Sequence, residues 1–172
     1  GVIGILFKDT VELAGTMLIV PGICLLITSV FLVIADYADE GTKRPREASY
    51  VNAGLIGVAQ GIATMPGLSR SGTTITACLL CGFEKKFAVK YSFIMSIPAV
   101  LGAVVLELKD VAKAPLQASA VPACAVATVI SAIVGYLSIC IMMRLIQGKK
   151  YKIFAVYCAI VGLITVGYGI FR

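Results

Sequence analysis

The sequence has no histidine in its 172 residues and little charge: 14% charged residues against 59% hydrophobic ones. Soluble domains carry about 25% charged and roughly 45–50% apolar residues, so a water-soluble globule of this size could not hide so much apolar surface. Disorder is excluded as well, because it requires low hydrophobicity. Without histidine, no imidazole of this chain can act as base, acid or ligand. What remains is an all-α polytopic membrane protein, in agreement with a mean hydropathy of +0.99. A transmembrane barrel would alternate apolar and polar residues, and these runs do not.

The six cysteines, Cys24, Cys78, Cys81, Cys124, Cys140 and Cys158, all lie in apolar runs and read as small packing residues. Cys78 and Cys81 form a CxxC, but with no second ligand pair this is a weak redox or zinc signal. The net charge of +6 could suit nucleic acid; in a membrane protein it is expected from cytoplasmic loops. The chain starts at Gly1, and no basic segment precedes the first apolar run as it would in a signal peptide. We expect a single membrane domain over residues 1–172 that begins partway through a longer protein.

Six uncharged runs stand out: Leu13–Ala35, Ala48–Ser69, Ser71–Phe83, Tyr91–Leu106, Ala114–Met143 and Ile153–Phe171. A bilayer-crossing helix needs about 20 residues. The first, the fourth with its flanks, the fifth and the sixth can therefore span, giving about four transmembrane helices. Pro115 and Pro122 place the start of the fifth helix near Gln117. The connector Asp36–Glu47 carries both charge signs and reads as a solvated loop.

The second and third runs are separated only by Arg70, within Pro66-Gly67-Leu68-Ser69-Arg70-Ser71-Gly72-Thr73-Thr74. Pro66 and Gly67 break the helix. Arms from Tyr50 to Met65 and from Ser71 to Phe83 would rise about 22 Å and about 18 Å. Each passes the middle of a hydrocarbon layer about 30 Å thick without having to leave it. Residues 48–83 therefore read as a re-entrant hairpin with Arg70 near its tip. With such a hairpin the Lys and Arg residues outside it divide ten to four between the two faces; with one full crossing they divide eight to six. The positive-inside rule favours the hairpin and puts the ten-residue face in the cytoplasm.

An arginine at membrane depth costs about 3 kcal/mol or more and needs a partner or a polar cavity. No carboxylate lies between Ala48 and Phe83. Ser69, Ser71, Thr73 and Thr74 surround Arg70 instead, and Ser69 or Ser71 can cap a helix running toward Phe83. Free N–H groups at such a helix start favour an anion, and the guanidinium fork matches phosphate oxygens. In a membrane the anion is the headgroup of a lipid or polyprenyl phosphate. The competing reading has Arg70 snorkelling to an interface while the hydroxyls cap a kink. Gln60, on the first arm, either hydrogen-bonds across the hairpin or lines the site.

Hydrolysis of a phosphoanhydride also needs a base and, in most cases, a metal. All nine acids lie at span ends or in loops, and Glu84 and Glu107 read as interfacial. The chain thus holds an anion clamp without a base, and no metal ligands.

The stretch from Gln60 to Thr74 resembles the PGxSRSxxT signature of the undecaprenyl-diphosphate phosphatase, or bacitracin-resistance, family. Tyr91–Ala99 and Gly4–Thr10 are similar to further stretches of that family. The resemblance implies an enzyme of the bacterial inner membrane that removes the terminal phosphate of undecaprenyl diphosphate, recycling the carrier lipid for peptidoglycan synthesis and conferring bacitracin resistance. It implies two inverted repeats, each with a re-entrant hairpin, of which this chain carries the second. By that resemblance Arg70 grips the diphosphate, Ser69 and Ser71 take part in catalysis and binding, and Thr74 matches the signature threonine and belongs to the binding set; Gln60 joins that set from its place on the first arm. A divalent cation, Mg2+ or Ca2+, is implied, with ligands not in this chain. The implied partners are the polyprenyl diphosphate, the missing N-terminal repeat and a second copy in a homodimer. The family's first-repeat glutamates, serines and histidine are absent here, so the chain alone is expected to be inactive. The alternative is half of an inverted-repeat transporter or flippase for an anionic lipid.

Overall fold

The computed structural model describes residues 8–38, 41–113, 121–147 and 151–171. Gly1, the Gly4–Phe7 stretch, Asp39, Glu40, Pro115, the expected helix start at Gln117, and Lys149, Lys150 and Arg172 of the charge count lie outside them. Seven α-helices occur among the described residues: α1 (Lys8–Thr16), α2 (Ile19–Tyr37), α3 (Tyr50–Ile62), α4 (Arg70–Leu80), α5 (Lys85–Lys113), α6 (Val121–Gln147) and α7 (Tyr151–Phe171), with a 3-10 turn at Pro45–Glu47. Four are long and apolar enough to cross a membrane: α2, α5 over Lys85–Lys109, α6 over Val121–Ile141, and α7. The protein is an all-α, multi-pass membrane protein. Aliphatic side chains such as Val129, Ile133, Leu163 and Ile164 point outward, as a hydrocarbon solvent permits.

The first apolar run is not one helix. It is divided at Met17–Leu18 into α1 and α2. Pro21 is the cause: it has no N–H for the Met17 carbonyl, and its ring would collide with that carbonyl in a continuous helix. The Met17 carbonyl instead accepts from Val20 N at 3.1 Å.

Helices α2 and α7 form the tightest pair. A Cβ on Gly162 would stand 3.0 Å from the Gly22 carbonyl oxygen and 3.0 Å from the Leu26 side chain. Small residues let two membrane helices approach until their backbones touch. Ser29 Oγ fastens the seam by donating to the Ala155 carbonyl at 2.8 Å. On its other side α2 packs on α4, and α4 packs in turn on α3 and α5. The core lies between them and includes Ile56, Ile75, Cys78, Phe83, Val89 and Ala155.

The connector before α3 is more than a solvated loop. Asp36 and Tyr37 belong to α2, and the Asp36 carboxylate is buried beside Lys152 at 3.7 Å. Lys43 pairs with the chain after α4: its N–H donates to Gly82 O at 3.0 Å, and its carbonyl accepts from Glu84 N at 3.3 Å. Its Nζ reaches the Cys81 carbonyl at 2.9 Å, where a cation meets the negative end of α4. Gly41 lies against the Gly82–Phe83 backbone with no room for a Cβ. The α3–α4 pair therefore starts and finishes at the same end of the molecule.

The arms are shorter than the uncharged runs. The first helix stops at Ile62 instead of Met65, because Pro66 has no N–H for the Ile62 carbonyl and its ring would collide with it; that carbonyl accepts from Met65 N instead. The second runs from Arg70 to Leu80 and is capped at Cys81, where Gly82 at φ +85° turns the chain.

Candidate anion-binding site at the broken hairpin

Between α3 and α4 the chain descends through turns closed by Thr64 N on Gly61 O (3.3 Å), Met65 N on Ile62 O (3.1 Å) and Leu68 N on Met65 O (3.1 Å). Gly67 takes φ +89°, and a Cβ there would run into the backbone of Pro21 on α2. Only glycine suits both conditions. Thr28 of α2, 1% exposed, holds the same turn: its hydroxyl donates to Gly67 O at 3.3 Å and accepts from Ser69 N at 2.9 Å.

Ser69 is the N-cap of α4, with extended backbone and its Oγ accepting from Gly72 N at 3.2 Å. Thr73 N and Thr73 Oγ1 both donate to the Ser69 carbonyl, each at 2.9 Å. Among the described residues the N–H groups of Arg70 and Ser71 find no acceptor, nor does the Ser71 hydroxyl find a partner. The Ser69 hydroxyl, used as an acceptor in the cap, keeps its proton to donate. Two backbone N–H groups, two hydroxyls and a guanidinium are thus left at the start of α4, the donor types that an anion takes.

Arg70, half-buried, lines a cavity of about 320 Å³ whose other wall is one face of α5: Ala99, Val100, Ala103, Val104, Glu107 and Leu108. Low-polarity walls strengthen a charge's pull on an anion. Among the described residues no carboxylate comes within 4.0 Å of Arg70. Glu107 nonetheless shares the cavity wall, a placement that the charge pattern alone did not reveal. The i, i+4, i+8 spacing of Ala99, Ala103 and Glu107 was the available signal.

Thr74 does not face this cavity. It is 1% exposed, donates to the Arg70 carbonyl at 2.9 Å, and shares a hydrogen bond with Ser92 of α5. Its place is in the support of the hairpin. Gln60 reaches neither the second arm nor the cavity wall: its Nε2 donates to the Met95 carbonyl of α5 at 3.4 Å, and its Oε1 is buried without a partner.

The donors around Arg70 do not fit a divalent cation. They are a guanidinium, N–H groups and hydroxyls, and Glu107 is the single carboxylate on the cavity wall. No cluster of three or more His, Cys, Asp or Glu side chains forms among the described residues.

The fold and site define a class: a polytopic helical membrane protein with an arginine at the start of the second arm of a broken helical hairpin. The family described as bacitracin resistance protein BacA matches residues 1–164. This chain belongs to that family. It is 40% identical over 168 residues to an undecaprenyl-diphosphatase of Methanosphaera stadtmanae, covering 96% of this chain and 59% of that protein. Proteins of the same name from Halothermothrix orenii and Methanobrevibacter smithii are 38% and 42% identical, each over 96% of this chain and over 64% and 59% of their own lengths. The chain thus spans about six-tenths of the length of these curated relatives.

Proposed function

We propose that the chain supplies the diphosphate-binding part of an enzyme that hydrolyses undecaprenyl diphosphate to undecaprenyl phosphate and phosphate in the cytoplasmic membrane. One observation carries this reading: a half-buried arginine, with no carboxylate within 4.0 Å among the described residues, opens a helix whose first N–H groups find no acceptor there. The relatives named undecaprenyl-diphosphatase support it. They give no support to the transporter alternative.

In this reading Arg70 grips two phosphate oxygens with its planar fork. The N–H groups of Arg70 and Ser71 and the hydroxyls of Ser69 and Ser71 direct further hydrogen bonds at the same group. Donors fixed in advance stabilise charge as it grows on the phosphate oxygens. Among the described residues Glu107 is the one carboxylate on the wall shared with Arg70, short of the set that a base and a divalent cation together would need.

The test is hydrolysis of undecaprenyl diphosphate by the full-length protein with Arg70→Ala. The expected loss in kcat/KM is roughly 10- to 100-fold, the scale of a lost charge-assisted hydrogen-bond pair. Activity within about twofold of the parent would reject the role.

A further inference from the structure

We propose that Thr28 is the positioning residue of the phosphate site, acting through the backbone of the hairpin turn from a different helix. The assignment rests on the reading of Arg70 as the diphosphate grip, and deepens it by naming what aims that grip. Thr28 lies 41 residues before Ser69 in sequence and would pass as an ordinary hydroxyl in a membrane span. Such hydroxyls most often bond back to a carbonyl of their own helix, as Thr128 does to Cys124 and Thr165 to Val161. Thr28 instead sends its proton across to Gly67 O and takes one from Ser69 N.

These two bonds decide which groups the turn offers to a ligand. With Ser69 N–H drawn toward α2, the Leu68–Ser69 peptide is fixed. Ser69 can then adopt the extended N-cap conformation, at φ −69° and ψ 109°. That conformation aims Ser69 Oγ at Gly72 N and leaves the next two N–H groups, of Arg70 and Ser71, unpaired. The Gly67 carbonyl, which would otherwise be a negative dipole free to swing toward the anion, is also held. One buried hydroxyl therefore fixes the peptide that precedes the free N–H groups and holds a repelling acceptor away from the site. The close approach of Gly67 to the Pro21 backbone keeps the turn within reach of α2, so Thr28 does not have to hold it there alone.

Valine matches threonine in shape but can make neither bond, whereas serine can make both. The full-length protein is assayed for undecaprenyl diphosphate hydrolysis as Thr28→Val, Thr28→Ser and Arg70→Ala, with thermal unfolding of each variant in detergent. Thr28→Val is expected to raise KM about tenfold or more with a smaller change in kcat, and Thr28→Ser to stay within about twofold of the parent. Thr28→Ala is the second variant should valine prevent folding, and belongs with valine. An unchanged KM in the valine or alanine variant, or a serine variant as impaired as valine, overturns the assignment. So does a loss of thermal stability in either that leaves KM of the folded fraction unaltered, since that marks a merely structural hydroxyl. The Arg70→Ala arm separates the two readings. If it keeps its activity, the diphosphate site itself is wrong and Thr28 goes with it; if it loses activity while Thr28→Val is normal, only the Thr28 assignment falls.

Discussion

Thr74 of α4 and Ser92 of α5 share a buried hydroxyl–hydroxyl hydrogen bond that ties the second arm of the hairpin to the helix following it. Thr74 is 1% and Ser92 4% exposed, so neither can turn to solvent when the other is lost. Thr74→Val should leave the Ser92 hydroxyl unpaired and destabilise the protein by about 1–3 kcal/mol. Thr74→Val combined with Ser92→Ala should cost less than the two single changes added together. Thermal unfolding of the three variants in detergent checks this; strict additivity would show that the pair does not interact.

Gly67→Ala should be the most damaging single change in the turn. Its positive φ alone costs about 1–3 kcal/mol for a residue with a side chain, and the added methyl meets the Pro21 backbone, which cannot yield as a flexible side chain would. The expected result is a low yield of monodisperse protein, read by size-exclusion chromatography, with little activity in what remains.

The seam between α2 and α7 predicts a contrast between two glycines. Gly162→Leu forces side-chain atoms against the Gly22 carbonyl and Leu26 and should destabilise by about 1–3 kcal/mol through overpacking. Gly135→Leu, on α6, meets nothing within 4 Å at its Cβ and should leave the unfolding temperature unchanged or slightly raised. Equal effects at the two sites would mean that the α2–α7 packing is wrong.

The path of the hairpin can be checked by labelling. Arg46 and Lys86 are exposed, before and after it, and Lys109 is exposed at the far end of α5. With the six native cysteines replaced, Arg46→Cys and Lys86→Cys should react with an impermeant maleimide from one face of the membrane, and Lys109→Cys from the other. Reaction of Arg46→Cys and Lys86→Cys from opposite faces would exclude a re-entrant pair.

Much of this architecture was legible in local sequence. Uncharged run length, once the break at Pro66-Gly67 before Arg70 and the charge split set the second run aside, picked out the four spanning helices. Residue type narrowed the cap of the second arm to Ser69 or Ser71, and the backbone uses Ser69. The bounds failed where proline acts at a distance: Pro21 splits the first run four residues upstream of itself, and Pro66 ends α3 before Met65. Tertiary placements were not legible. Nothing in the vicinity of Thr28 or Lys43 says that the first grips the hairpin turn or the second clasps its exit, and the spacing that puts Glu107 on one face with Ala99 and Ala103 does not say that Arg70 lies opposite. Each depends on which helix faces lie together, and an apolar span that is hydrophobic all round gives little indication of its inward side.

Helix α6 is the extreme of that ambiguity: the window that qualifies it as a span has 0% of its residues buried, and it makes no substantial contact with any other described helix. In oil such a rod gives up nothing by standing apart. In water each square ångström of its apolar skin would be penalised by about 25 calories per mole. Among the described residues no neighbour fixes its place, so in this chain by itself gradual stripping of lipid should let the segment wander while α2 and α7 stay clasped.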